Sequence, residues 1–209
     1  MANITNTQGT SILALQSIAH EGVVISSAID VSTKLAATVF IRFGRRSGSL
    51  FTTGWPNFRI EASAKSTGND AWLPLAMFQP SIGTSYSGTS TIAARNLNGE
   101  HAAGATELLI KTAVTNLAAG DLIFIEASTF TDSEWARVRK VVTGTLKIYL
   151  EEGLVNTHQD DSAIYDQAEL FVAQLDLTAI GRIRVVADNA NSGQPIAVEV
   201  QMVTGDSLT

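Results

Sequence analysis

GRIRVVADNANSGQPIAVEVQMVTGD, residues 181–206, decides the fold. Ile183 and Val185 alternate with Arg182 and Arg184. After a stretch of Asn, Ser and Gly, the residues Ile196, Val198, Val200 and Met202 alternate with Ala197, Glu199 and Gln201. A period of two sends successive side chains to opposite faces, which marks a half-buried strand of an antiparallel sheet. The same period recurs upstream. In KLAATVFIRFG, residues 34–44, Ala37, Val39, Ile41 and Phe43 point one way, and Thr38, Phe40 and Arg42 the other. In NFRIEAS, residues 57–63, Phe58, Ile60 and Ala62 alternate with Asn57, Arg59, Glu61 and Ser63. These runs are short and bounded by Gly, Pro, Asn, Asp and Ser, as in a β-sandwich or β-barrel.

Residues 97–168 read differently. A strand is expected around Leu108, Ile110, Thr112 and Val114, then a turn at Gly120-Asp121 and a strand from Leu122 to Glu126. Two more strands join near Thr143-Gly144, with Leu146, Ile148 and Leu150 alternating with Lys147 and Tyr149. Trp135, Val138 and Val142 also fit helical spacing, but the β-branched content favours a strand. Alternation then resumes in AELFVAQLDL, residues 168–177. The expected fold class is therefore all-β. An antiparallel β-sandwich, jelly-roll or Ig-like, is formed by residues 1–96 and 169–209, with a small β-barrel inserted at residues 97–168. An insertion of this kind works when its ends lie close together. The polar stretch SIGTSYSGTSTIAARNLNGE, residues 81–100, reads as an exposed loop leading into the insert.

Composition narrows the function. The 209 residues carry 14 Lys and Arg against 20 Asp and Glu, a net charge of −6. Charged residues make up 16%, against about 25% in a typical domain. The surface must therefore be built from Ser, Thr, Asn, Gln and Gly. At 45% hydrophobic residues, the chain is too apolar for disorder. No run approaches the ~18 apolar residues of a membrane-spanning helix. An acidic balance argues against nucleic acid, whose phosphates need a basic surplus. Absence of Cys removes disulfides, thiolate nucleophiles and Cys-based zinc sites. The N-terminal stretch has no basic region followed by an uninterrupted apolar run, so it does not read as a secretory signal.

Candidate chemistry is sparse. His158-Gln159-Asp160-Asp161, with Asp166 near, places an imidazole beside carboxylates, but the more economical reading is a solvated turn. Glu151-Glu152 and Asp160-Asp161 are adjacent pairs, and strand neighbours point to opposite faces. No Gly-x-Ser-x-Gly elbow, phosphate loop or dinucleotide fingerprint occurs. Residues 43–55, FGRRSGSLFTTGW, hold Arg45, Arg46 and Trp55. Arginines there are expected to pair with an acidic neighbour. Trp72 is expected in the core, Trp55 in a loop or interface, and the three Trp residues are also possible sugar-stacking platforms. No catalytic residue, cofactor or metal is expected.

Three stretches, residues 26–46, 57–78 and 182–200, resemble β-sandwich virion proteins of tailed bacteriophages. The insert is similar to small β-barrel modules of phage capsid-decoration and tail proteins. Its matching positions are Gly120-Asp121, Glu134-Arg137-Val138, Leu146 to Leu150, and His158. The resemblance implies a non-enzymatic virion structural protein. A capsid decoration (cement) protein comes first, with a neck or tail component or a carbohydrate-binding adhesion module as the alternative. It would be made in the host cytoplasm and reside in the virion, as a homo-oligomer bound to major capsid or other virion proteins, without nucleic acid or membrane.

Residues 1–16 lack charged side chains, so they can enter another subunit's surface at little desolvation cost. Ile4, Ile12, Leu13 and Leu15 are the expected anchors of an N-terminal binding arm, together with Arg45, Arg46 and Trp55 as partner-binding residues. The alternative is that the arm packs back on its own sandwich.

Overall fold

A computed structural model of the chain describes residues 6–46, 55–68, 71–80, 95–112, 117–190 and 192–206. Residues 81–94 of the loop expected at 81–100 and the anchor Ile4 lie outside these; at the loop's described end, Arg95–Asn96 form a short strand. The chain divides into two compact units. One holds Met1–Phe43, Phe51–Gly83 and Leu170–Thr209; the other holds Gly44–Leu50 and Thr84–Glu169. The sequence places the boundaries of the insert at residues 97 and 168. The second unit also takes in the segment around Arg45 and Arg46.

The first unit is a two-sheet sandwich. Its strands are β1 (Asn6–Ile18), β2 (Val23–Ile25), β3 (Ile29–Asp30), β4 (Lys34–Arg45), β5 (Asn57–Ser63) and β6 (Leu73–Phe78). Three later strands of the chain, β12 (Ala163–Asp176), β13 (Arg182–Asp188) and β14 (Ile196–Asp206), also contribute. One sheet runs β1-β14-β4-β12, and the other runs β2-β13-β5-β6 with β3 also on β13. The inward rows are those that the alternation assigns. Val39, Ile41, Phe43, Phe58, Ile60, Ile183, Val185, Val198 and Val200 are all fully buried. Aromatic rings join the two sheets: Phe43 to Phe58 at 5.4 Å and Phe58 to Phe171 at 5.9 Å between centroids. Tilted rings at this range add to burial.

Residues 6–18 do not leave the sandwich. β1 pairs antiparallel with β14 of the same chain, from Asn6 opposite Gly205 to Ile18 opposite Ile196. Ile12 and Leu13 are buried and serve this chain's own core. The reason is economy: β14 offers main-chain partners without the translational cost of finding another subunit. Three register shifts interrupt the β1–β14 ladder. Irregularity of this kind blunts an edge strand against further pairing.

Gly181 shows how tightly one corner is closed. A Cβ there would lie 2.4 Å from the Lys65 carbonyl carbon and 2.7 Å from the Ser66 nitrogen, both main-chain atoms. Gly181 N–H also donates to the Ser63 carbonyl at 2.9 Å. Gly181→Ala is expected to destabilise by at least about 1–3 kcal/mol, the range for overpacking a site that cannot relax. A urea unfolding midpoint unchanged from the parent would contradict this.

The second unit is a small barrel. It uses β7 (Arg95–Asn96), β8 (Glu107–Leu109), β9 (Leu122–Glu126), β10 (Glu134–Val142), β11 (Lys147–Leu150) and the first part of β12. Residues 134–142 are a strand, as their β-branched content indicates. The order is β12-β9-β10-β11-β8. β7 pairs with β12, and Leu97 bridges to Ile110 just past β8, so the ladder returns to its start. Closure removes free edges. Leu97, Leu108, Ile110, Ile123, Ile125, Val138, Ile148, Leu150 and Ile164 fill the interior.

Candidate interaction surface

Cross-strand partners share a face of a sheet, so register maps the outer surface of β2-β13-β5-β6. Ile25 lies opposite Val186, Val186 opposite Arg59, and Arg59 opposite Met77. On one side of this row Val23 lies opposite Asp188 and Asp188 opposite Asn57; on the other Arg184 lies opposite Glu61. Buried Phe58, Ile60, Ile183 and Val185 occupy the opposite face. The outer rows are therefore turned away from the sandwich interior.

Their chemistry mixes apolar ends with a charged centre. Val23 is 51% exposed, Ile25 53%, and Met77 61%. Leu73 and Leu75 of the edge strand β6 are exposed as well, but Leu73 lies opposite Ala62, on the face of Ile60, and Leu75 falls at a register shift. Between the exposed ends Val186 is buried, and the nearly buried Glu61 accepts from two arginines: Arg184 Nε at 2.8 Å and Arg59 Nε at 3.4 Å. Arg59 also approaches Asp188 at 3.8 Å. Trp72 packs beneath this network, with the Arg184 guanidinium 4.3 Å and the Arg182 guanidinium 5.2 Å from its ring centroid. Arg182 donates to the Lys65 and Gly68 carbonyls. Trp72 is thus not a core residue, as its apolar context suggests. Guanidinium stacking engages its ring, so it does not present a bare platform for a sugar.

The other candidates are scattered through the fold. Leu15 is half-buried in β1 and Trp55 half-buried just before β5. Arg45 is almost fully buried. Arg46 pairs with Glu126 and stacks on Phe130 at 4.5 Å, the acidic pairing expected of this basic segment. Burial, with the Glu126 carboxylate adding its charge and a hydrogen bond, pushes the nearby Tyr165 phenol up to about 12. Phe124 links this group to Trp135 at 4.7 Å between centroids. Apart from these, an open groove of about 580 Å³ in the first unit is lined by Leu35, Thr38, Phe40, Gln174, Asp176 and Val203.

His158 overturns the solvated-turn reading. Its side chain is fully buried and its Nε2 lies 2.8 Å from Glu134 Oε1. Glu134 also accepts the Val155 N–H at 2.8 Å and the Asn156 N–H at 2.9 Å. Burial pushes the Glu134 carboxyl up, but these three hydrogen bonds outweigh it and hold the group below the usual carboxylate value. The neighbouring carboxylates do not join His158. Asp160 and Asp161 are exposed and pair with Lys111, and Asp166 is buried against Arg95. Among the described residues, no three His, Asp or Glu side chains gather as metal ligands.

No family model and no curated protein sequence matches this chain. Solved structures of low similarity cover nearly all of it. The prophage-derived protein YomS of SPBc2 aligns over 99% of this chain and 97% of its own, at 7% identity and a TM-score of 0.30. A cleaved adhesin domain of Lys-gingipain from Porphyromonas gingivalis aligns over 94% and 72%, at 10% identity and 0.33. A carbohydrate esterase of the Shiga toxin-encoding bacteriophage phi24B aligns over 98% and 90%, at 12% identity and 0.31. At these values the similarity assigns neither a family nor a function.

Proposed function

We propose that this chain is a non-enzymatic structural protein of a tailed-phage virion. In this reading it is a capsid decoration (cement) protein, present in many copies and bound to capsid subunits. The observation that carries the reading is the outer face of β2-β13-β5-β6. Val23 and Ile25 at one edge of this face and Met77 at the other are half-exposed or more, around a charged centre of Arg59, Glu61 and Arg184. Exposed apolar side chains grouped with polar ones on one face mark a surface that another protein covers. Arg, Trp and Met beside them match the composition of protein interfaces. The sequence resemblance to phage virion proteins, carried by the same strands and by the Glu134 and His158 positions of the barrel, supports the virion setting.

Sedimentation tests the reading. Purified full-length chain, mixed with capsids of the phage that encodes it, is expected to travel with the capsids in a density gradient. Binding is expected to saturate at a fixed ratio to the capsid protein. A chain that stays at the top of the gradient at all concentrations would overturn the decoration role.

A further inference from the structure

We infer that the outer face of β2-β13-β5-β6 docks on the same face of a second copy of this chain, around a two-fold axis parallel to the strands. The inference deepens the multi-copy reading above by naming the contact surface and its occupant. It starts from the register. An axis running between β13 and β5, parallel to them and just above the sheet, exchanges β13 with β5 and β2 with β6. Each outer residue then meets the counterpart of its own cross-strand neighbour. Ile25 meets Met77 of the other copy, because both stand in the row that Val186 and Arg59 complete. Arg184 meets the other copy's Glu61, and Asp188 meets its Asn57.

Three observations favour a second copy. First, the charges are self-complementary. The operation sets Arg184 on Glu61 and puts no like charges opposite each other in these rows, and an isologous contact makes every such match twice. Second, exposed Ile25 and Met77 stand at the two ends of the central row, where the axis brings them together. Third, the size fits a weak symmetric dimer. Val23, Ile25 and Met77 at the observed exposures offer roughly 300 Å² of apolar surface. Arg59 and Arg184 extend the face but leave it below the ~800 Å² per partner of a standard interface. The strand β1, by contrast, carries register irregularities and exposed Thr10, Ser11 and Ala14, and offers no comparable face.

The test is a charge-pair rescue in the full chain. Ile25 and Met77 are three strands apart in one copy, about 14 Å, so charges placed on them interact weakly within a chain. Across the proposed axis they touch. Analytical ultracentrifugation of the parent chain is expected to show a monomer–dimer equilibrium in the micromolar range. Ile25→Glu alone places acid against Met77, and Met77→Lys alone places base against Ile25. Each is expected to weaken the dimer by about tenfold or more, as loss of a buried anchor does. The double variant is expected to recover most of that loss, because Glu then meets Lys twice. Both positions are exposed, and circular dichroism with an unchanged urea midpoint confirms that the variants fold. A parent chain that stays monomeric at about 500 µM, well above the range expected for such a face, overturns the inference. So does a dimer indifferent to both single changes, or a double variant no better than the weaker single one. The virion assignment is judged separately by capsid sedimentation, which needs no self-association in solution.

Discussion

Glu134→Ala is expected to cost about 3–5 kcal/mol, the penalty for removing one partner of a buried charged pair. The carboxylate accepts from His158, Val155 and Asn156, and its side chain is 10% exposed. Removing it leaves two main-chain N–H groups and a fully buried imidazole without their acceptor. The segment from Leu154 to His158 then loses its tether to β10. Glu134→Gln keeps one acceptor oxygen and is expected to cost less. The pH dependence follows from the direction of the shift. Glu134 titrates lower in the folded chain than in the unfolded one. Its stabilising contribution is therefore complete above the unfolded value near 4.5 and fades as the pH falls through the lower folded value. Urea midpoints measured from pH 7 down to pH 3 are expected to converge for the parent and Glu134→Gln. Parallel curves over that range would show that the carboxylate is not the group that matters.

The second large effect is expected at Asp166. Its side chain is 3% exposed and pairs with Arg95, itself 6% exposed. Asp166→Ala leaves a guanidinium inside the barrel wall with its main counter-ion gone, again a loss of about 3–5 kcal/mol. Replacing both partners, as in Arg95→Met with Asp166→Leu, removes the charges together and is expected to recover most of the stability. Buried ion pairs exchanged for apolar groups of similar volume are often neutral. A double variant no more stable than Asp166→Ala would show that Arg95 holds the barrel through its other contacts.

The strands of the sandwich were legible because alternation is a local property. Ile183, Val185, Val198 and Val200 point inward where their spacing says they should, and Phe58 and Ile60 do the same. Pairing partners were not legible, because register is set by tertiary packing. Arg184 and Glu61 sit in separate alternating runs, 123 residues apart, and nothing local says that they meet. The run LPLAMF, residues 73–78, reads as uniformly apolar, yet Leu73, Leu75 and Met77 face solvent on an edge strand. Trp72 misleads for a related reason, since a planar guanidinium can cover an aromatic ring as an apolar neighbour would. His158 misleads in the opposite direction. Its acidic, polar neighbours are exposed, and only the distant Glu134 explains its burial. For the N-terminal stretch, low charge and scattered apolar residues suit an exchanged arm and a home edge strand equally, and residues 6–18 take the second course.

Quantitative mass spectrometry of gradient-purified virions tests the central claim most directly. If the chain is a structural component of the particle, its peptides are expected at a fixed, high copy number relative to the major capsid protein, reproducible between preparations and retained after high-salt washing. Particles that contain no such peptides, while the lysate that produced them does, would contradict the account.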